Sequence, residues 1–196
     1  MDVRSLLFTY RSYTPIPFMI VMIYWAHPTT ASLFGGFLLA LCGEAMRFWG
    51  VSIAGSETRT TGAVGGSRLI VAGPFAYVRN PLYLGNIMLY CGVGIMANAL
   101  VPWLLIIAGT YFIFQYRMIV SSEEDYLIKT FGDEYAEYMK NVPRFVPRLV
   151  PWISEHQKEQ TADFRRGARS ERRTLQAFVV ITLVLVLLGI IRRGGM

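Results

Sequence analysis

Apolar positions along this chain gather into five blocks separated by polar stretches, and each block approaches the length of about 20 residues that carries a helix across hydrocarbon. The first, about Tyr13 to Ala26, is short for a span and has Pro15 and Pro17 near its start, where a helix tolerates proline. The second, about Ala31 to Ile53, holds Glu44 and Arg47 three residues apart, close enough on one helix to pair and so lower the cost of charge at membrane depth. The third, about Leu82 to Ala97, and the fourth, about Leu100 to Val120, are joined by Asn98 and Ala99 alone, which predicts a tight antiparallel helical hairpin. The fifth, Leu175 to Ile191, has marginal spanning length and either crosses the bilayer or lies along its surface.

Between the blocks the pattern changes. Residues 55–68 are polar and glycine-rich, the composition of an aqueous loop. From Ser122 to Asn141, Leu127, Phe131, Tyr135 and Tyr138 recur at helical spacing among charged residues, which predicts an interfacial helix broken at Gly132, with Asp133 capping the second piece. The prolines at 143, 147 and 151 exclude a continuing helix, and residues 154–173 read as a charged, exposed segment. The expected organisation is therefore an all-α integral membrane protein of about five transmembrane helices. Residues 1–153 form its core, 154–173 a charged segment and 174–196 a C-terminal apolar helix.

Charge then orients the picture. Lys and Arg concentrate in the N-terminus and in segments 55–81 and 121–173, whereas the 27–30 and 98–99 links carry none, so the basic segments are expected in the cytosol. Arg192 and Arg193 conflict mildly with that rule if the fifth block spans. The net charge of +6 suits anionic lipid more simply than nucleic acid, because the basic residues flank apolar blocks; Arg165, Arg166, Arg169, Arg172 and Arg173 read as a lipid anchor. Cys42 and Cys91 lie inside apolar segments with no metal-ligand spacing and read as packing residues. The N-terminus shows no small-residue cleavage site after its first apolar run, so no removable signal is expected.

The candidate chemistry sits in two places. Residues 71–85, which include Gly73, Pro74, Tyr77, Val78, Arg79, Asn80, Pro81, Leu82, Tyr83 and Gly85, lie at the mouth of the third helix. Pro81 at a helix start leaves neighbouring N–H groups free and Arg79 adds a cation, a combination suited to an anionic group; taken alone, the segment also reads as a turn into the membrane with a snorkelling arginine. The second place is Glu123-Glu124 with Arg117, seven residues from Glu124 and nearly on its face of the fourth helix. Such a pair also occurs at ordinary solvated helix ends.

Together these residues resemble the isoprenylcysteine carboxyl methyltransferase and phospholipid methyltransferase group of membrane enzymes, with a Gly-Pro-aromatic step, an Arg-His-Pro-x-Tyr-x-Gly run and a distant Glu-Glu. Phe131-Gly-Asp-Glu-Tyr135, Tyr138, Val142-Pro-Arg144 and Arg47 extend the resemblance over roughly residues 40–148. Asn80 stands where the family's usual histidine falls, as in phosphatidylethanolamine methyltransferases, whose glycine pair Gly92 and Gly94 also resemble. The downstream segment looks more like the isoprenylcysteine branch.

The resemblance implies S-adenosylmethionine as donor, bound by Gly73, Pro74, Tyr77, Val78, Asn80, Pro81, Leu82, Tyr83 and Gly85 together with Glu123 and Glu124. It further implies Arg79, Glu124, Arg117 and Tyr83 as the residues at the chemistry, Arg117 steadying the carboxylates or orienting an acidic acceptor. The acceptor would be a prenylated cysteine carboxylate, which needs no base, or a phospholipid amine, for which Glu124 or Tyr83 would take the proton. Two other classes share parts of the pattern: a membrane reductase of the sterol reductase type, using a reduced dinucleotide phosphate, and a non-catalytic membrane adaptor.

Overall fold

The computed structural model describes residues 3–55 and 68–194. The glycine-rich loop expected at 55–68 therefore lies outside the described residues apart from Gly55 and Arg68, as does the side chain of Arg193.

Within that range the chain is helical: α1 (Val3–Tyr10), α2 (Pro15–Tyr24), α3 (Thr30–Ala54), α4 (Pro81–Ala97), α5 (Trp103–Asn141) and α6 (Phe164–Gly194), with a 3-10 turn at Gly73–Ala76. Each boundary has a local cause. Thr29 and Ser32 form a reciprocal capping box at the start of α3, with Ser32 N donating to Thr29 Oγ1 at 3.0 Å and Thr29 N to Ser32 Oγ at 2.9 Å. Pro81 opens α4 at a position where its missing N–H costs nothing. Asp163 Oδ1 accepts from Arg166 N at 2.9 Å at the head of α6, and that backbone N–H holds the Asp163 carboxyl below the usual carboxylate range. Gly132, with φ 51° and ψ −122°, kinks α5 where the sequence predicted a break.

Three helices, α3, α5 and α6, are long and apolar enough to cross a membrane, and α2 and α4 are shorter apolar helices. The five apolar blocks thus correspond to three long helices and two short ones among the described residues. At 1.5 Å per residue, α2 reaches only about 15 Å and α4 about 25 Å against a hydrocarbon thickness of about 30 Å.

The helices connect two ends. At one end His27 N donates to Ala97 O at 2.9 Å, Asn98 Nδ2 to His27 O at 3.0 Å, and Arg192 to the carbonyls of Ala26 and Tyr24. At the other lie the end of α3, the start of α4, the extension of α5 and residues 142–163. Running from Phe164 beside α3 to Arg192 at the far end, α6 follows the bundle through its length instead of lying across its surface.

The helices α4 and α5 pack against each other across a link of residues 98–102, and the tightest seam joins α3 to α4. A Cβ on Gly43 would meet Gly85 O at 2.6 Å, and one on Gly92 would meet Gly36 O at 2.6 Å, so these positions let two backbones touch. A core of Ala40, Leu89, Val93, Met96, Phe178 and Leu185 fills the space between α3, α4 and α6.

The segment 154–173 is not simply exposed, as its composition suggested. Gln160 is buried, accepting from Val71 N at 2.9 Å and Ala72 N at 3.1 Å and donating to Leu69 O at 2.9 Å. Helix α6 starts at Phe164, so the division expected at 173–174 falls inside one helix, and Glu171 is buried against Arg47.

Candidate active site

A cavity of about 680 Å³ runs through the bundle. Its polar end is lined by Arg79, Asn80, Tyr83, Glu123 and Glu124, and its apolar end by Met22, Ala99, Leu104 and Leu105. Glu124 is 5% exposed. Its carboxylate lies 3.1 Å from Arg79 Nη2, accepts from Arg144 Nε at 3.2 Å, and pairs with Arg144 Nη2 through its second oxygen. Two guanidiniums thus share one buried carboxylate, with the Glu123 side chain beside them on the cavity wall. Beside it, the Tyr83 hydroxyl donates to Glu123 Oε1 at 2.6 Å, and the Tyr83 ring packs 4.9 Å from that of Tyr116.

The elements explain why these residues meet. Arg79 N donates to Pro143 O, Arg148 N to Tyr77 O and Trp152 N to Ala76 O, each at 2.9 Å, so the 76–79 strand of chain is laced to residues 143–152. Asn80 Nδ2 donates to Arg144 O at 3.1 Å, and the Tyr138 hydroxyl to Phe75 O at 2.7 Å. The kink at Gly132 turns the end of α5 so that Tyr135 and Tyr138 face Leu69, Val71 and Val142 in a second small core.

Of the residues expected at the site, Arg79, Asn80, Pro81, Leu82, Tyr83, Glu123 and Glu124 line the cavity. Gly73, Pro74, Tyr77, Val78 and Gly85 are absent from its wall. Gly73, at φ 60°, is fitted against Trp49 and Ile53, where a Cβ would meet Ile53 Cγ1 at 2.8 Å. Gly85 faces α3, with Gly43 O 2.7 Å from where its Cβ would be, so it serves helix packing and not the cavity.

Arg117 departs from expectation: it is exposed and is not on the cavity wall, and the cations on Glu124 are Arg79 and Arg144. Seven residues of helix separate Arg117 from Glu124 by about 10 Å along the axis, whereas the loop after α5 brings Arg144 into direct contact. Val142-Pro-Arg144 was visible as a motif, but nothing in its spacing pointed to Glu124 as its partner.

Deeper in the cavity lies a second polar cluster. Arg47 pairs with Glu171 at 2.7 Å, donates to Asn86 Oδ1 through Nη1, and lies 3.7 Å from Glu44 Oε2. The expected Glu44–Arg47 pair is therefore present as the longer arm of a triad whose main partner comes from α6.

Residues 31–134, more than half of the chain, match the phospholipid methyltransferase family. The chain belongs to that family. Its curated relatives include the protein-S-isoprenylcysteine O-methyltransferase of Schizosaccharomyces pombe, 36% identical over 83 residues, which cover 42% of this chain and 34% of the relative. They also include the cobalt-zinc-cadmium resistance protein CzcN of Cupriavidus metallidurans, 29% identical over 132 residues, 67% of this chain and 55% of the relative. The nickel-cobalt-cadmium resistance protein NccN of Alcaligenes xylosoxydans xylosoxydans is 32% identical over 89 residues, 45% of this chain and 40% of the relative. The chain thus spans between a third and just over half of the length of these relatives. No solved structure matches it. The family match agrees with the membrane methyltransferase resemblance of the motifs, and its span from 31 to 134 ends before Arg144 and α6, which supply partners to both polar clusters.

Proposed function

We propose that this chain transfers a methyl group from S-adenosylmethionine to a lipid-like acceptor at the cytosolic membrane face. The observation that carries the reading is Glu124, buried between Arg79 and Arg144 at the polar end of a cavity whose other end is apolar. Such a cavity suits an acceptor with a polar head and a tail that stays among apolar side chains.

The donor set fits S-adenosylmethionine. Arg79 Nε is buried and has no hydrogen-bond partner among the described residues, which leaves a donor beside a cationic pair for a carboxylate. Glu123 and Glu124 lie close by for a ribose diol or a positive sulfonium, and Tyr83 lies alongside. When bound, the donor supplies an electrophilic methyl that an acceptor lone pair attacks in line. The chain's part is to align the two reactants and exclude water. Arg79, Asn80 and the N–H groups of the first turn of α4 hold the donor's polar end, and Gly73, Pro74, Tyr77 and Val78 support the shape of that wall, while Gly85 lets α4 close on α3 behind it. A carboxylate acceptor needs no proton removed, whereas an amine acceptor would pass its proton to Glu124, or to Tyr83 as the Tyr83 hydroxyl hands its own proton to Glu123.

Both acceptor classes remain in this proposal, prenylated cysteine carboxylate and phospholipid amine. The names of the isoprenylcysteine relative and of the family support one each. Residues 1–153 would form the catalytic core, with 154–173 and the apolar helix behind it completing its wall.

The test is calorimetric titration of the detergent-purified protein with S-adenosylmethionine, its demethylated product and a reduced dinucleotide phosphate, repeated on Glu124→Gln. Binding of the first two that weakens in Glu124→Gln is the expected result. Binding of the dinucleotide alone would replace the proposal with a reductase, and no binding by folded protein would leave a non-catalytic adaptor.

A further inference from the structure

Residues 143–153 carry three prolines and no helix, yet the segment is firmly held on one side. The three backbone hydrogen bonds to residues 76–79, all 2.9 Å, fix it just ahead of Pro81, where the apolar helix α4 begins. That position places the segment beside the start of the apolar helix α4, at the polar end of the bundle. Val142 and Trp152 turn inward, with the Trp152 ring 5.7 Å from that of Tyr138. On the other side Val146 is 75% exposed, Leu149 99%, Val150 67% and Ile153 83%.

Four large aliphatic side chains clustered within eight residues and turned away from a well-anchored backbone are not ordinary for an aqueous loop. Pro143, Pro147 and Pro151 each lack an N–H, and the amides of Arg148 and Trp152 are already satisfied, so the segment has few backbone donors that require water. The Arg148 guanidinium is anchored on Asn141 O at 2.6 Å, which holds a cation at the same level as the apolar tips.

We propose that this segment is seated in the lipid leaflet, with Val146, Leu149, Val150 and Ile153 inserted at the boundary of head groups and acyl chains and Arg148 at the phosphate level. A leaflet, and not a second copy of the chain, is the occupant that matches the position of the segment beside the start of α4 and its pairing of apolar tips with an arginine. Irregular backbone is compatible with this depth, though not with the hydrocarbon centre. Because Arg144 of the same segment holds Glu124, seating would also register the polar end of the cavity against the leaflet; that consequence alone rests on the methyltransferase reading.

The test uses the full chain with Cys42→Ala and Cys91→Ala, carrying a nitroxide at Leu149→Cys or, separately, Ile153→Cys, in vesicles of phosphatidylcholine and phosphatidylglycerol. Ile106→Cys, exposed on the apolar part of α5, serves as the lipid reference, and Lys129→Cys, exposed on its polar extension, as the aqueous reference. Accessibility to oxygen relative to a water-soluble nickel chelate is expected to be several-fold higher at Leu149 and Ile153 than at Lys129, approaching that at Ile106. A ratio equal to that at Lys129 would overturn the proposal. So would loss of access to both quenchers with dipolar broadening between labels, which would put a second copy on the segment. Leu149 makes almost no internal contact, so its substitution does not disturb folding, and the readout needs neither donor nor acceptor.

Discussion

Two arginine–carboxylate clusters border one cavity, and they are built for different work. Around Glu124, two guanidiniums share one carboxylate at the cavity's polar end, and Arg79 keeps a buried nitrogen without a partner among the described residues. Around Arg47, one guanidinium is flanked by the carboxylates of Glu171 and Glu44 and the amide of Asn86, joining α3, α4 and α6. Arg47 likewise keeps a buried Nε without a hydrogen-bond partner among the described residues, so place separates the two: the first cluster lies beside Glu123 and Tyr83 at the polar end of the cavity. The second spends its cation on holding helices together, which is what a buried ion pair does when both partners come from packed elements.

Substitutions should separate these roles. The largest effect is expected from Arg47→Ala, which removes the guanidinium that Glu44 and Glu171 share; breaking a buried pair in this way costs about 3–5 kcal/mol. Thermal unfolding in detergent should report it as a marked loss of stability without ligand. Glu124→Gln should do the reverse, with a smaller drop in ligand-free stability but donor binding weakened about tenfold or more, as expected for ~1.5–3 kcal/mol carried by a charge-assisted hydrogen bond. If both substitutions lowered stability and binding in proportion, the functional distinction between the clusters would fail.

Smaller effects sharpen the same contrast. Asn80→Ala removes a single hydrogen bond to Arg144 O, so calorimetry should show donor binding weakened by no more than about tenfold, matching ~0.5–1.5 kcal/mol for a neutral hydrogen bond. Arg117→Ala should change stability by no more than about 0.5 kcal/mol and leave donor binding unaltered, since its side chain is exposed and off the cavity wall. A large effect there would restore Arg117 to the site.

Much of the bundle was legible along the chain. The blocks at 31–53 and 82–97 became Thr30–Ala54 and Pro81–Ala97, and the break at Gly132 fell where expected, because apolar run length, proline and glycine act within a few residues of themselves. Asn80 and Tyr83 reached one wall with the two glutamates because the start of α4 lies beside the stretch of α5 where its apolar run gives way to charged residues. The reading faltered where a residue's surroundings came from distant chain. Arg117 and Glu124 are near in sequence and on one face, yet the partner of Glu124 is Arg144, delivered by a kink and a loop. The charged stretch 154–173 resembled a solvated tail, yet Gln160 and Glu171 are buried in it, each serving a segment more than 80 residues away.

The sequence by itself determined that this is an all-helical membrane protein, where most of its helices lie, and which motifs gather at one end, because hydrophobic length and helix-terminal chemistry are local properties. The tertiary structure decided which cation meets which carboxylate, which glycines shape the wall and which pack helices, and that α6 runs along the bundle beside α3. Those outcomes depend on the sum of many contacts between segments far apart in the chain, and no window of residues contains that sum.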